Sequence, residues 1–392
     1  MRPATAKPIV FILEGNFLGL EMARELRDAG YPVVVIGHRR TDIALFARDI
    51  AGHVLPLPQG DSESLLKGVL EIGAGYAGPK VLMGGSDGYR RWVSHNSRAL
   101  EGQFKLLACP PEEIDALLDK WNQLQMASLA ELSHPASAIM DEKGRLTTKL
   151  RFPVVVKPRY SQKTIGFRDK LGSKILVAHN ARQLLGACRR LTDFGFSSLV
   201  QEMIPGADFS QFLFGAAVKD GKPFSVCLAQ KLKAAPRPYG SGVVVRTIFQ
   251  EELMEAGLKM LESTNYSGIC DIEFMRNWDT GQFQFIEFNP RYGLGQRVAG
   301  MAGASLAETA VKLAMGETTG EMKVARPGYY WVYFDEWLKE RIMPWRNVFL
   351  RQLRNKGNTA RIFDIKDYHP ELHHIINIAS LKLKRMSRLK LQ

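Results

Sequence analysis

Hydrophobic and polar residues alternate over two segments late in the chain, 268–274 and 283–291. Alternation with a period of two is typical of strands that bury one face, and residues 277–281 between the segments are typical of a turn. The pattern therefore predicts a β-hairpin with one apolar face, which includes Ile286 and Phe288, and one polar face.

The polar face of this hairpin is rich in carboxylates. Asp271 and Glu273 share a face of the first strand, and Glu287 and Asn289 share a face of the second. If Glu273 pairs with Glu287, Asp271 falls opposite Asn289, and three carboxylates and an amide crowd together. Like charges that face each other destabilise a sheet, whereas oxygen ligands suit Mg²⁺. We therefore expect a metal site, with a solvated polar face as the alternative.

The same periodicity predicts an α/β unit at the N-terminus, in which glycine turns separate apolar strands from an amphipathic helix. Gly15 and Gly19 bracket the first turn, but the fuller glycine pattern of a dinucleotide fold is missing. Nucleotide binding and ordinary strand-to-helix packing both remain open for this turn. The predicted strands are 7–15, 31–37 and 80–88, the helix is 18–30, and a long helix at 111–132 follows the unit.

Two further units and a tail follow, and they make the expected fold class a combination of α/β and α+β. The predicted strands are 152–158, 174–178, 198–203 and a hairpin over 212–231 about Asp220-Gly221; the helices are 180–191 and 305–317. The predicted domains are 1–110, 111–200, 201–320 and a C-terminal extension at 321–392. The strand at 198–203 is expected to be the first element of the third domain.

Charge and composition change this picture mainly at the C-terminus. The net charge is +13, and residues 321–392 hold 15 Lys and Arg against 7 Asp and Glu. Nucleic-acid binding is disfavoured because the excess charge lies in the tail and no recognised nucleic-acid motif appears. For 379–392, contact with an anionic membrane and a solvated basic end remain open. We expect the aromatic residues of 329–356 to pack on the core as a cap.

The four cysteines are scattered, which fits buried thiols in a reducing compartment rather than a disulfide framework. The N-terminus lacks a signal-peptide pattern, and no apolar run approaches about 18 residues. We therefore expect a cytoplasmic protein, with attachment at the inner membrane face only if the basic tail binds lipid.

Four motifs, taken in order, resemble the ATP-grasp superfamily of carboxylate ligases, and especially its branch of D-aspartate-ligase-like carboligases. The resemblance covers about residues 8–318 and implies an ATP-grasp fold with an N-terminal Rossmann-like domain. The motifs are DK at 119–120, VVVKP at 154–158, QEMIPGAD at 201–208, and DIEF at 271–274 followed by IEFNPR at 286–291.

This resemblance implies roles for residues that bind ATP. Lys120 and Lys157 would contact phosphates, and Lys157 has a reason of its own, since an ammonium within an apolar strand is costly unless an anion offsets it. Lys231 resembles a further basic residue near the phosphates, and a lysine that reaches solvent is the alternative for each of the three. The hinge would bind the nucleoside, with adenine at Glu202, Met203 and Ile204 and the ribose at Asp208.

The resemblance also assigns the acidic hairpin. Glu273, Glu287 and Asn289 match the ligands of two Mg²⁺ ions, with Mn²⁺ as a substitute. Arg291 matches an arginine that holds the substrate carboxylate or the acyl phosphate, so Arg291 and Lys157 are the expected catalytic residues.

One departure from the resemblance is the loop at 159–174, which has glycines only at 166 and 172. Its relatives usually cover the phosphates with a glycine-rich loop. Basic side chains of this loop could contact phosphates instead, or the loop could serve an anionic acceptor or close poorly.

The function that the resemblance implies is ATP-dependent ligation. A carboxylate would be activated as an acyl phosphate and joined to an amine, and both substrates would be small and amino-acid-like. The alternative is a nucleotide-binding regulatory or scaffold protein that has lost turnover. The sequence identifies neither substrate and does not decide between a monomer and a homodimer.

Overall fold

The computed structural model describes residues 7–55, 62–140, 145–160, 175–206, 208–235, 240–317, 320–333, 359–361, 367 and 369–370. The basic end at 379–392 and residues 161–174 of the glycine-poor loop lie outside the described residues. The hypotheses on those two segments therefore stay hypotheses.

The N-terminal unit is a parallel sheet with helices on both faces, as predicted. Alternate residues of its first strand pack on opposite faces: Val10 and Ile12 join one core cluster, and Phe11 and Leu13 join another. The strands are β1 (Ile9–Leu13), β2 (Val33–Gly37), β3 (Ala51–Val54), β4 (Lys80–Gly84) and β5 (Lys105–Leu106); the helices are α1 (Phe17–Asp28), α2 (Ser62–Ala74), α3 (Asp87–His95) and α4 (Ser97–Leu100).

The strand order of this sheet is β3-β2-β1-β4-β5, so the order reverses between β1 and β4. In such sheets, ligands bind in the crevice outside the carboxyl ends of the two strands at the reversal.

Within the first turn, a Cβ at Gly19 would lie 1.9 Å from the carbonyl oxygen of Glu14. Gly19 therefore allows close packing of α1 on β1, as the packing alternative requires.

The second unit is a small antiparallel sheet of order β6-β9-β7-β8. The strand predicted at 198–203 is β9, and it pairs with β6 and β7, so placing it at the start of the third unit was wrong. The strands are β6 (Ser137–Ile139), β7 (Val154–Pro158), β8 (Leu176–Ala178) and β9 (Ser198–Glu202); the helices are α5 (Pro111–Leu117), α6 (Lys120–Leu129) and α7 (Ala181–Asp193).

The single helix predicted over 111–132 was also wrong, because the chain forms α5 and α6 with a break between them. Asp119 has an extended backbone (φ −99°, ψ 107°), and its side chain accepts a hydrogen bond from the N–H of Trp121. An aspartate in this position caps a helix and favours a new start. The break places Lys120 at the first position of α6.

The third unit is a large sheet of order β14-β13-β10-β11-β12-β16-β17, with β15 beside β11. The predicted turn at Asp220-Gly221 is confirmed, and both residues have positive φ (49° and 73°). The strands are β10 (Gln211–Lys219), β11 (Lys222–Ala235), β12 (Ser241–Thr247), β13 (Gly268–Arg276), β14 (Phe283–Asn289), β15 (Lys323–Val324), β16 (Tyr330–Val332) and β17 (Thr359–Arg361); the helices are α8 (Glu251–Glu262), α9 (Arg297–Met301) and α10 (Leu306–Ala314).

The start of the C-terminal extension belongs to this large sheet, since β16 pairs with β12. Trp331 is fully buried, and its indole N–H donates to Glu21 on α1 (2.9 Å). The predicted cap of aromatic residues is thus confirmed for Trp331 and Tyr333, while residues 334–358 lie outside the described part.

Helix α1 also joins the N-terminal unit to the large sheet through Glu25. The hydroxyls of Tyr292 and Ser305 both donate to this buried carboxylate.

The four cysteines are buried free thiols, as predicted. Among the described residues there is no helix of the length and apolarity that crossing a membrane requires.

Candidate active site

The acidic face of the β13–β14 hairpin has the register that the metal hypothesis assumed. Glu273 lies opposite Glu287, and Asp271 lies opposite Asn289. A bulge follows Glu273, so that Phe274 pairs with Phe285. The apolar face predicted at Ile286 and Phe288 is therefore partly wrong, because Phe285 is fully buried and Ile286 only half-buried.

Two lysines from different units bind the paired glutamates. Lys120 Nζ of α6 lies 3.1 Å from Glu287 Oε1, and Lys231 Nζ of β11 lies 2.7 Å from Glu273 Oε2. Both lysines are 7% exposed. The surface alternative for Lys231 is therefore excluded, and the repulsion between the two glutamates is offset by ammonium groups in this structure.

Lys157, on β7, is a third buried lysine near the same carboxylates. Burial, the largest cause, and nearby Lys120 together lower its pKa to about 8, against the opposing charges of Glu287 and Glu273. Burial would also raise the pKa of Glu287, but Lys120 and Lys157 outweigh burial and hold that pKa at about 2. Three cations and two anions thus share one cleft between the small and large sheets.

Asp271 is more deeply buried than the glutamates beside it. Burial and the charge of Glu273 raise the pKa of Asp271 above its usual range, against the attraction of Lys231 and Arg291. Gln296 Nε2 donates to Asp271 Oδ1 (3.3 Å). The third expected carboxylate is therefore held by protein groups, next to the glutamate pair.

The described part of the chain holds no group of three or more His, Cys, Asp or Glu side chains arranged to bind a metal ion. The metal hypothesis accordingly depends on Glu273, Glu287 and Asn289, which offer oxygen ligands only. Oxygen-only sets with one or two carboxylates fit Mg²⁺ that is also held by phosphates. The residues present therefore fit Mg²⁺ with a bound nucleotide better than an ion held by protein alone.

Arg291 follows the end of β14 and is held from three directions. Its Nε lies 3.1 Å from Asp87 Oδ1, its NH1 donates to the carbonyl of Tyr292 (3.1 Å), and its NH2 donates to Asn289 Oδ1 (3.3 Å). Sequence reasoning missed Asp87, although an acidic residue directly after the glycine turn that ends β4 was a usable signal.

The predicted hinge residues lie at and after the end of β9. Glu202 is bound by Arg151 through a backbone N–H (2.7 Å) and the guanidinium (3.1 Å). The N–H of Met203 donates to the carbonyl of Pro153, and Ile204 is buried. Asp208 begins a short 3-10 helix, and its side chain lies outside the described part.

Of the basic residues in the glycine-poor loop at 159–174, only Arg159 lies in the described part of the chain. Its guanidinium binds both carboxylate oxygens of Asp119, with Nε 2.8 Å from Oδ1. In this structure Arg159 therefore fixes the cap of α6, which carries Lys120.

Residues 243–322 match the family described as carbamoyl-phosphate synthase L chain, ATP binding domain. A D-aspartate ligase of Enterococcus faecium is 24% identical over 241 residues, which are 58% of this chain and 56% of the ligase. The chain thus spans little more than half of that relative.

Solved structures share the fold over most of the chain. An L-amino acid ligase of Bacillus licheniformis has a TM-score of 0.61 at 17% identity, over 83% of this chain and 79% of the ligase. The biotin carboxylase domain of a Hydrogenobacter thermophilus 2-oxoglutarate carboxylase, solved with MgADP, has a TM-score of 0.60 at 17% identity, over 82% and 73%. These structures show that the chain has the ATP-grasp fold, and the family match at residues 243–322 lies within it.

Proposed function

We propose that this protein is an ATP-dependent ligase that activates a carboxylate as an acyl phosphate and joins it to an amine. The observation that carries the proposal is the register pair of Glu273 and Glu287 with Lys120, Lys157 and Lys231 around it. Cations and oxygen ligands of this kind, side by side in one cleft, suit a nucleotide polyphosphate with its divalent ions.

The three buried lysines would bind the phosphates of ATP, and the ammonium of Lys157 would gain the counter-charge that its burial calls for. Glu273, Glu287 and Asn289 would hold two Mg²⁺ ions, or Mn²⁺ in their place. The bound ions would supply neutralisation of the charge on the phosphate oxygens.

The nucleoside would lie at the hinge after β9. Glu202 and the backbone near Met203 and Ile204 would bind adenine, and Asp208 would bind the ribose hydroxyls. Support for these roles is the likeness to ATP-grasp proteins. Because Arg151 donates hydrogen bonds to Glu202 in this structure, Glu202 would exchange one of these bonds for a bond with adenine.

The reaction balances with ATP as the only co-reactant. A substrate carboxylate oxygen attacks the γ-phosphorus, and the bond to the β-phosphate oxygen breaks, which releases ADP. The amine then attacks the acyl carbon, phosphate leaves, and the amine loses a proton as the amide forms. Arg291 would contact the carboxylate and then the acyl phosphate, since its planar guanidinium suits both anions.

The substrates we propose are amino-acid-like. Two proteins similar to this chain are named D-aspartate ligase and L-amino acid ligase. An amino acid offers both a carboxylate to be activated and an amine to attack.

The test is ADP release by the purified chain with ATP, Mg²⁺ and a panel of amino acids and dipeptides. We expect release that needs both Mg²⁺ and a carboxylate, and its loss in Glu287→Gln. Glu308→Gln is a matched control, since Glu308 also pairs with a lysine, Lys312, at 2.8 Å. Full activity in Glu287→Gln would refute the site, and nucleotide binding without ADP release would favour the scaffold alternative.

A further inference from the structure

Asp87 is a residue of the N-terminal unit that reaches the candidate active site. It is the first residue of α3, three residues after the end of β4, at the point where the strand order of the parallel sheet reverses. Its Oδ1 lies 3.1 Å from Arg291 Nε, and the two side chains are 17% and 23% exposed. The pair is therefore a partly buried ionic contact between two units of the fold.

The contact adds an ion pair to the hydrogen bonds of the guanidinium. Arg291 NH1 donates to the carbonyl of Tyr292 and NH2 donates to Asn289 Oδ1, while Nε lies 3.1 Å from Asp87 Oδ1 without a hydrogen bond to it. The guanidinium is a rigid plane, so these contacts on three nitrogens limit its rotation. Of these three partners, only Asp87 lies far from Arg291 in sequence.

Asp87 and Asn289 bind different nitrogens of Arg291. Asp87 Oδ1 lies 3.1 Å from Nε, and NH2 donates to Asn289 Oδ1 (3.3 Å) at the end of β14. Without Asp87, the hydrogen bond with Asn289 would hold the guanidinium toward β14.

We infer that Asp87 is a positioning residue that holds Arg291 on the N-terminal side of the cleft, away from Glu273 and Glu287. Held there, Arg291 faces the cleft where the substrate carboxylate would lie. Released, it would approach the two glutamates and compete with a divalent cation for them. The consequence for ligation rests on the proposed function, whereas the contact itself does not.

A simpler role for Asp87 is stabilisation of α3, since acidic residues in the first turn of a helix interact favourably with its dipole. That role acts on α3 alone. It predicts neither coupling to Arg291 nor any change in the need for Mg²⁺, so the two roles can be separated by experiment.

The first experiment measures the contact without metal or nucleotide. Melting temperatures are compared for the wild type, Asp87→Asn, Arg291→Gln and the double variant. We expect the double variant to lose about 2 °C less than the sum of the single losses, or a larger margin. Asp115→Asn is the matched control, since Asp115 pairs with Arg91 of α3 (2.6 Å), and its loss should add to that of Arg291→Gln.

The second experiment measures ADP binding by calorimetry over a range of Mg²⁺ concentrations. Asp87→Asn should need about fivefold more Mg²⁺ for half-maximal binding, Asp87→Glu should recover most of that shift, and Asp115→Asn should behave as the wild type. Additive melting losses together with an unchanged Mg²⁺ titration would overturn the inference. A wild type that binds nucleotide but never releases ADP would refute the proposed ligase and leave both measurements decisive for Asp87.

Discussion

Asp367 ties the C-terminal extension to the N-terminal unit, and its replacement should be among the most costly single changes in the chain. Its side chain is 1% exposed. It lies 3.1 Å from Arg24 Nε and 2.9 Å from Arg27 NH1, and it accepts a hydrogen bond from the N–H of Arg48 (2.9 Å). One carboxylate thus serves three groups that are more than 300 residues away in sequence.

The expected magnitude follows from the burial of the partners. The side chain of Arg24 is fully buried, and removal of one partner from a buried ion pair costs about 3–5 kcal/mol. Glu21 lies 3.6 Å from Arg24 and would compensate in part, which favours the lower end of that range. Arg27 is 16% exposed, so water would replace some of its lost contact. We therefore expect Asp367→Asn to lower the free energy of unfolding by about 3 kcal/mol.

The assay is urea unfolding followed by circular dichroism, with the midpoint and slope compared between variants. Asp49→Asn is the control, since the pair of Asp49 with Arg48 (3.6 Å) is 75% and 66% exposed and should contribute less than about 1 kcal/mol. A second variant, Arg24→Met with Asp367→Leu, removes both charges and should recover much of the loss. If Asp367→Asn costs no more than Asp49→Asn, the burial argument is wrong.

Three further predictions concern buried groups. Burial raises the pKa of Glu25 from 4.5 to about 7, so the folded chain keeps a proton that the unfolded chain has lost, and stability should fall as the pH rises from 5 to 7. Glu25→Gln should remove up to about 3 kcal/mol of this fall in the free energy of unfolding, measured by urea unfolding at each pH. If the variant and the wild type lose stability in parallel as the pH rises, this prediction is wrong. Lys157→Met should unfold at no lower urea concentration than the wild type, because a buried ammonium is lost, while calorimetry should show weakened ATP binding; retained affinity would count against its role. Gly19→Ala should lower stability by about 1–3 kcal/mol, since its Cβ would meet the carbonyl of Glu14, whereas Gly186→Ala has open space and should be neutral or stabilising; equal losses would refute the packing argument.

The acidic hairpin shows what sequence alone can establish. Alternation limits each strand to two faces and places Glu273 and Glu287 on the same face, whereas their exact pairing was an assumption that the structure bears out. The bulge after Glu273 could not be read in the same way. Both Phe285 and Ile286 are apolar, so hydrophobicity does not say which of them enters the core.

The predictions that failed depend on contacts between distant segments. The sequence of 111–132 is helical in pattern throughout, and the break before Lys120 is fixed by Arg159, which binds Asp119 from another part of the chain. For Asp87 the sequence offers a position after β4, but its partner, Arg291, is visible only when α3 and the end of β14 lie together. Local patterns predict elements, whereas side-chain partners across units come from the fold.

The charges of the cleft suggest why the same residues serve the protein with and without ligands. Lys120 and Lys231 neutralise Glu287 and Glu273 in this structure, so the two glutamates are balanced by ammonium groups. Under the proposed function, phosphates would take over the lysines and divalent cations would take over the glutamates, and each side chain would exchange one opposite charge for another. Either ligand alone would leave half of these groups without a partner. Binding of nucleotide and of metal should therefore be mutually dependent, because the cost of separating each ion pair is recovered only when both ligands are present.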